Sequence, residues 1–413
     1  MALEGLPLVT DKTRAQSENV ETVVTRLRNE RIVIPDYQRD AEQWDKRKES
    51  LFIESILNNL TVPAFFFSEG DDQKIEVVDG QQRLTTILKY VEDKFALSDE
   101  ASMVYLTPQS VYYSGKRFSE LPKKLQSVFN DYPLTIIYLP QSLDLSTKLE
   151  IFRRINEGGT PLTGQDIRLA YYSSSPSVTT IRLAGVHGNG DAVSRMQKSA
   201  KERNIPDPWE NWTRAYELWG EWWEGKLTAR GQTPSEMFLW YLVTLNRESL
   251  HSLLSTPNQM KHLKISFRGS TEEALDVYCA QILWTDEHGS LPVFPGGKDL
   301  QKDFNSFATW IEYILKQGLS GVSVDKYKQT ALLIGALVDS KVQPSQVSHD
   351  AWDEFGTFIR YPRKTGQKWL ADAGGYPEQK GRWGGTSGQY MQCKQVCKLV
   401  SKILESYPNT TYA

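Results

Sequence analysis

Ile75-Glu76-Val77-Val78-Asp79-Gly80-Gln81-Gln82-Arg83-Leu84-Thr85-Thr86-Ile87-Leu88-Lys89-Tyr90 decides the reading of this chain. An apolar, β-branched run stops at Asp79, a glycine permits a tight turn, and a helical pattern starts at once. A strand end, a glycine and a helix start make an anion-binding arrangement. Backbone N–H groups without intrahelical partners and the positive helix end face the turn, and the Arg83 fork suits phosphate oxygens. A short glycine turn is common in isolation, and its plain reading is a β-turn with a surface ion pair. Two further segments give it weight.

The first is Ile34-Pro35-Asp36-Tyr37-Gln38-Arg39, at the end of a short strand over Arg31–Ile34 and ahead of Trp44. The second runs Phe152-Arg153-Arg154-Ile155-Asn156-Glu157-Gly158-Gly159-Thr160-Pro161-Leu162-Thr163-Gly164-Gln165-Asp166. There Asn156 closes one helical pattern, and Thr163 is placed to cap the next. Each segment sets an arginine near a backbone turn, with amide side chains that both donate and accept. Converged on one face, the three can hold a nucleoside triphosphate. Arg39 and Arg83 would grip phosphates, and N–H groups from Gly80 onward would line the chain. Asn156 would lie near a metal-bound oxygen, although Asp79 or Glu157 is the more usual type of Mg²⁺ ligand. Asp79 with Gln81 or Gln82 would orient water or the ion. Arg153 is as readily a solvent-exposed helix charge, and Tyr37 and Trp44 read first as packing residues.

The order I-P-x-Y-Q-R, D-G-Q-Q-R, R-I-N-x-G-G-T-x-L resembles the N-terminal domain of GmrSD-type restriction endonucleases, which are modification-dependent (type IV) systems. That domain is similar to the ParB/sulfiredoxin-like nucleotide-binding fold. The resemblance covers about residues 15–175. In ParB-like proteins the glycine turn reads G-E-R-R and an E-N-x-x-R segment follows; Gly80 and Arg83 match the first and Asn156 the second. It implies nucleoside-triphosphate binding and Mg²⁺-dependent hydrolysis that regulates cleavage of modified phage DNA. The implied site comprises Asp79, Gln81, Gln82 and Arg83 for catalysis. Tyr37, Gln38, Arg39, Gly80, Arg83, Arg154, Asn156, Gly158, Gly159 and Thr160 would bind the nucleotide. Sulfiredoxin chemistry does not fit, because Gln81-Gln82 stand where its cysteine would lie.

Full-length members carry an HNH-type nuclease, which needs clustered histidines. The five histidines here (His187, His251, His262, His288, His349) are scattered, and Asp72-Gln73-Lys74 is only a loose D-x-K pattern. The expectation is therefore a regulatory subunit whose nuclease is a separate chain, with modified DNA as ligand and homo-oligomerisation left open. The rival reading is a non-enzymatic ParB-like DNA-binding or nucleotide-gated assembly module.

Composition bounds the rest. The chain has 413 residues, 39% hydrophobic and 24% charged, and a formal net charge of −3. Any nucleic-acid contact must then be a local patch. Three cysteines argue for a reducing compartment. No leader pattern opens the sequence, and no run approaches the roughly 18 apolar residues of a membrane span. A cytoplasmic protein with no membrane contact is expected.

The fold class expected is α+β, with a ParB/sulfiredoxin-like α/β domain over residues 1–175 and a mainly α-helical domain over 176–413. In the first, Ser17 is the candidate cap of a helix through Arg28, and Trp44–Leu60 reads as an amphipathic helix. Strands are expected at Ala64–Phe67, Ile75–Val78 and Leu134–Leu139, and a helix over Lys148–Asn156. Ser173–Ser177 reads as the boundary. The second domain is expected to sense DNA or bind a partner. Trp209, Trp212, Tyr216, Trp219 and Trp223 recur at helical spacing with Trp222 beside them, which predicts either a core helix or a docking face. Arg360, Arg363, Lys364, Lys368, Lys380 and Arg382 alternate with Trp369, Tyr376 and Trp383, as a DNA contact or a solvated loop would. Cys393 and Cys397 lack a second ligand pair for zinc and read as one buried helix face.

Overall fold

The computed structural model describes residues 12–34, 44–69, 74–100, 103–106, 108–140, 143, 147–148, 151, 154–155, 163–187, 191–225, 233–254, 273–289, 299–376 and 385–408. The chain forms two compact units, Met1–Pro161 and Leu162–Ala413.

The first unit is mixed α/β. It runs β1 (Arg14–Asn19), α1 (Val20–Arg28), β2 (Ile32–Val33), α2 (Lys46–Leu57), β3 (Phe65–Glu69), β4 (Ile75–Asp79), α3 (Gln81–Val91), α4 (Lys123–Asp131) and β5 (Pro133–Leu139). The five strands make one sheet in the order β1-β5-β3-β4-β2. β1 is antiparallel to β5 and β3 to β4, whereas β5 with β3 and β4 with β2 run parallel. In β5, Leu134, Ile136 and Tyr138 are buried while Pro133 and Thr135 are exposed. That period of two marks a sheet with one face packed. Val20, Val23, Ile53, Ile56, Leu84 and Ile87 from the helices join Phe65, Phe67 and Val77 in one core.

Helix starts follow local chemistry. Asp45 caps α2, its side chain accepting from Lys48 N, and Trp44 packs edge-on against Phe52 at 5.3 Å. Ser17, expected as the cap of α1, instead lies inside β1 opposite Thr135. Asn19 is the cap, accepting from Thr22 N. The reason is that β1, Arg-Ala-Gln-Ser-Glu-Asn, carries no apolar alternation: it is an exposed edge strand that exists because β5 offers it a hydrogen-bonding edge. Most of the helix expected over Lys148–Asn156 lies outside the described residues.

The second unit is helical in its described residues. Thr163 caps the helix Gly164–Tyr171 reciprocally with Asp166. Leu169 and Tyr172 of this segment belong to the large helical core. Helices Thr233–Leu245 and Tyr327–Asp339 are buried on every side through Met237–Thr244 and Thr330–Leu337, where most side chains are apolar. Their close approach needs Gly335, where a Cβ would meet Thr244.

The aromatic series is core. Trp209, Trp219, Trp222 and Trp223 are buried, and Trp219 packs edge-on against Phe307. The helix starts only at Thr213, so Trp209 and Trp212 reach the same core from the preceding turn, with Trp209 Nε1 donating to Ala184 O at 3.1 Å. After Arg360, where a DNA contact or a solvated loop is expected, the chain forms a helix, Pro362–Leu370, and the start of another, Gly385–Ser406. On the latter, Cys393 is buried and Cys397 half-buried.

One half-buried acid is expected to make this unit pH-sensitive. Asp303 opens the helix Leu300–Lys316. Burial pushes its carboxyl up to about 6, with Asp299 adding and Lys302 opposing. A raised acid binds more protons folded than unfolded, so stability falls as pH rises through the window from the ordinary carboxylate value to about 6. Asp303→Asn is therefore expected to stabilise the unit by about 1 kcal/mol near neutrality, after solvent screening, and to give no gain below about pH 4. Thermal melting across pH checks this; an equal gain at both ends would remove Asp303 as the cause.

Candidate functional site

The turn between β4 and α3 has the local structure that its sequence dictates. Val77 and Val78 are buried at the end of β4. Gly80 then takes φ 100°, ψ 9°, a left-handed conformation that favours glycine. A Cβ at Gly80 would overlap the Phe65 ring, so packing requires the same residue that backbone geometry does. Gly80 O accepts from Leu84 N at 2.9 Å, the first bond of α3. Gly80 brings no side chain to cap the helix, which leaves its opening turn suited to an anion.

Arg83 faces back across this turn. Its Nη2 donates to Asp79 Oδ2 at 2.7 Å, and its Nη1 donates to the carbonyls of Pro63 and Ala64. The guanidinium also lies over the Phe65 ring, 4.6 Å from the centroid. One arginine thus ties the end of β4, the start of α3 and the approach to β3. The cost of placing charge here is visible in both partners. Burial raises the Asp79 carboxyl above its ordinary range, against the pull of Arg83 and a hydrogen bond from the Gly80 N–H. Burial likewise lowers Arg83, against Asp79. Desolvation outweighs attraction on each side.

Gln81 and Gln82 are half-buried beside the pair. The Gln81 amide oxygen is buried and has no hydrogen-bond partner among the described residues. A buried acceptor left over calls for a donor: a sugar hydroxyl, a base amine or an ordered water would serve.

The structure therefore brings Asp79, Gly80, Gln81, Gln82 and Arg83 together. Arg154 is exposed. Tyr37, Gln38, Arg39, Arg153, Asn156, Glu157, Gly158, Gly159 and Thr160 lie outside the described residues, as do Asp72 and Gln73. Sequence reading missed the carbonyls of Pro63 and Ala64 and the ring of Phe65, because backbone acceptors carry no sequence signature; the Phe65-Phe66-Phe67 run was the one visible hint. Among the described residues no group of three or more His, Cys, Asp or Glu is arranged to hold a metal ion. No helix among them is long and apolar enough to cross a membrane.

Residues 20–173 match the family model described as GmrSD restriction endonuclease, N-terminal domain. The match contains the Asp79–Arg83 turn and both flanking segments, so this region is similar to the N-terminal domain of GmrSD restriction endonucleases. No curated protein and no solved structure matches the chain.

Proposed function

We propose that this chain is the nucleotide-binding, regulatory component of a modification-dependent DNA restriction system directed against phage, with the nuclease on a separate chain. The observation that carries the reading is the uncapped, glycine-led start of α3 inside a GmrSD-type domain. A ParB-like arrangement would put the phosphates of a nucleoside triphosphate against the N–H groups following Gly80. Asp79, whose carboxyl is raised by burial, would accept a proton or orient water, and Gln81 would receive a donor from the nucleotide or the water. Arg83, bound to Asp79 and two carbonyls, would hold these groups in place. Arg39, Asn156 and the Gly158-Gly159-Thr160 segment would complete the site. A bound Mg²⁺ would supply charge neutralisation at the phosphates.

One observation favours a second reading, a nucleotide-gated module without turnover. The Arg83 fork is largely committed to groups of its own domain, which leaves less charge for a transition state.

Phosphate release from ATP, GTP, CTP and UTP with Mg²⁺, with and without modified phage DNA, tests both. Turnover is expected, with a loss of about tenfold or more in Gln81→Ala at unchanged melting temperature. Gln81→Ala suits the test because its amide oxygen makes no bond among the described residues. Tight nucleotide binding without product in every condition would replace the first reading by the second.

A further inference from the structure

The cations and aromatics after Arg360 separate into two sets. Lys368 pairs with Glu354, Trp369 Nε1 donates to the same carboxylate at 2.9 Å, and Tyr376 is buried against Phe358. These side chains are engaged within the second unit. Lys380, Arg382 and Trp383 lie outside the described residues.

Arg360, Tyr361, Arg363 and Lys364 behave differently. All four are exposed, and they sit within five consecutive positions where the helix His349–Arg360 turns into Pro362–Leu370. The three cations have no ion pair and no side-chain hydrogen bond among the described residues, although Glu354, Asp353 and Asp350 lie on the preceding turns. Tyr361 is 60% exposed, and among the described residues it is the one large hydrophobic side chain of the second unit left so open. Folding explains only part of this set. Arg360, in the last turn of its helix, complements the negative helix end. Arg363 and Lys364 stand in the first turn of the next helix, where a positive charge is unfavourable and Asp or Glu would stabilise. Exposed tyrosine beside unpaired cations, set against the local electrostatic preference, is the pattern of a surface shaped for an external polyanion.

We propose that this corner contacts the DNA backbone, with Arg360, Arg363 and Lys364 against phosphates and Tyr361 against a sugar or an unpaired base. The inference rests on the reading that the chain acts on DNA, and it locates that contact in the helical unit. Phosphate contacts position a protein without reading bases, so the corner serves modified and unmodified DNA alike.

Fluorescence anisotropy of the full chain with a short labelled duplex, across a salt series, tests it. Arg360→Ala/Arg363→Ala/Lys364→Ala is expected to weaken binding at least about tenfold at low salt and to lower the slope of log K against log salt by about 3. The loss should be the same on duplexes with modified bases and on plain duplexes. Lys201→Ala/Arg203→Ala/Lys398→Ala removes the same charge from exposed positions elsewhere in the unit and should change affinity by no more than about twofold. Tyr361→Ala, but not Tyr361→Phe, should weaken binding of a single strand by about fivefold or more. Equal losses in both triple variants, or none in the first, would overturn the inference while DNA binding stands. No binding by the unaltered chain at low salt would overturn the inference and the DNA reading together.

Discussion

Arg168→Ala is expected to cost the second unit about 3–5 kcal/mol, the typical penalty for breaking a buried ion pair by removing one partner. Arg168 Nε lies 2.6 Å from Asp276 Oδ1, and the two side chains are 0% and 5% exposed. Arg168 also donates to Gln165 Oε1, and Gln165 Nε2 donates to Ser235 Oγ at 3.0 Å. This network ties three helices, Gly164–Tyr171, Thr233–Leu245 and Glu273–His288. Truncating Arg168 leaves the Asp276 charge inside the core without its partner and opens a void beside it. Replacing both partners, as Arg168→Met/Asp276→Leu, should recover most of the loss because no charge then remains to be buried. Urea denaturation followed by tryptophan fluorescence reads the effect: Trp44 alone of the twelve tryptophans lies in the first unit. An Arg168→Ala midpoint equal to that of the unaltered chain would show that Asp276 finds other partners and that the pair is not what holds these helices.

Gly80→Ala is expected to cost the first unit about 3 kcal/mol and to remove the proposed nucleotide binding with it. Two penalties add. A non-glycine residue at φ 100° carries strain of roughly 1–3 kcal/mol, and the new methyl must displace the Phe65 ring, an overpacking term of about 1–3 kcal/mol. The ring cannot move freely, because it is buried in the sheet core and lies under the Arg83 guanidinium. Hydrogen exchange on β3, β4 and α3 is the direct measurement, with faster exchange expected in all three. Adding Phe65→Leu should restore part of the protection by relieving the overlap, while the backbone strain persists. Full recovery in that double variant would mean that packing alone, and not the left-handed turn, demands glycine.

Much of the site was legible before any coordinates. The strand end at Asp79, the glycine turn and the helix from Gln81 follow from an apolar run, a residue able to take positive φ and a 3.6-residue pattern, all local properties. The cap at Thr163 was equally readable, since Thr163 and Asp166 satisfy each other across one turn. Arg83 was only half legible. Its nearness to the turn follows from spacing, but its commitment to Asp79, Pro63 and Ala64 depends on how β3 approaches β4. The misplaced cap at Ser17 has the same origin, since a polar edge strand is created by its neighbour and not by its own pattern.

By itself the sequence determined the mixed α/β character of the first unit, the helical character of the second and the likeness of residues 20–173 to a GmrSD N-terminal domain, because periodicity, turn residues and motif order are written in consecutive positions. Only tertiary structure decided that the tryptophan series faces the core, that Lys368 and Trp369 converge on Glu354, and that Arg360, Arg363 and Lys364 are left unpaired among the described residues. Periodicity places a side chain on a helix face; what that face meets is set by elements far away in the chain, and burial or a partner there decides whether a charge or an aromatic ring is structural or open to another molecule.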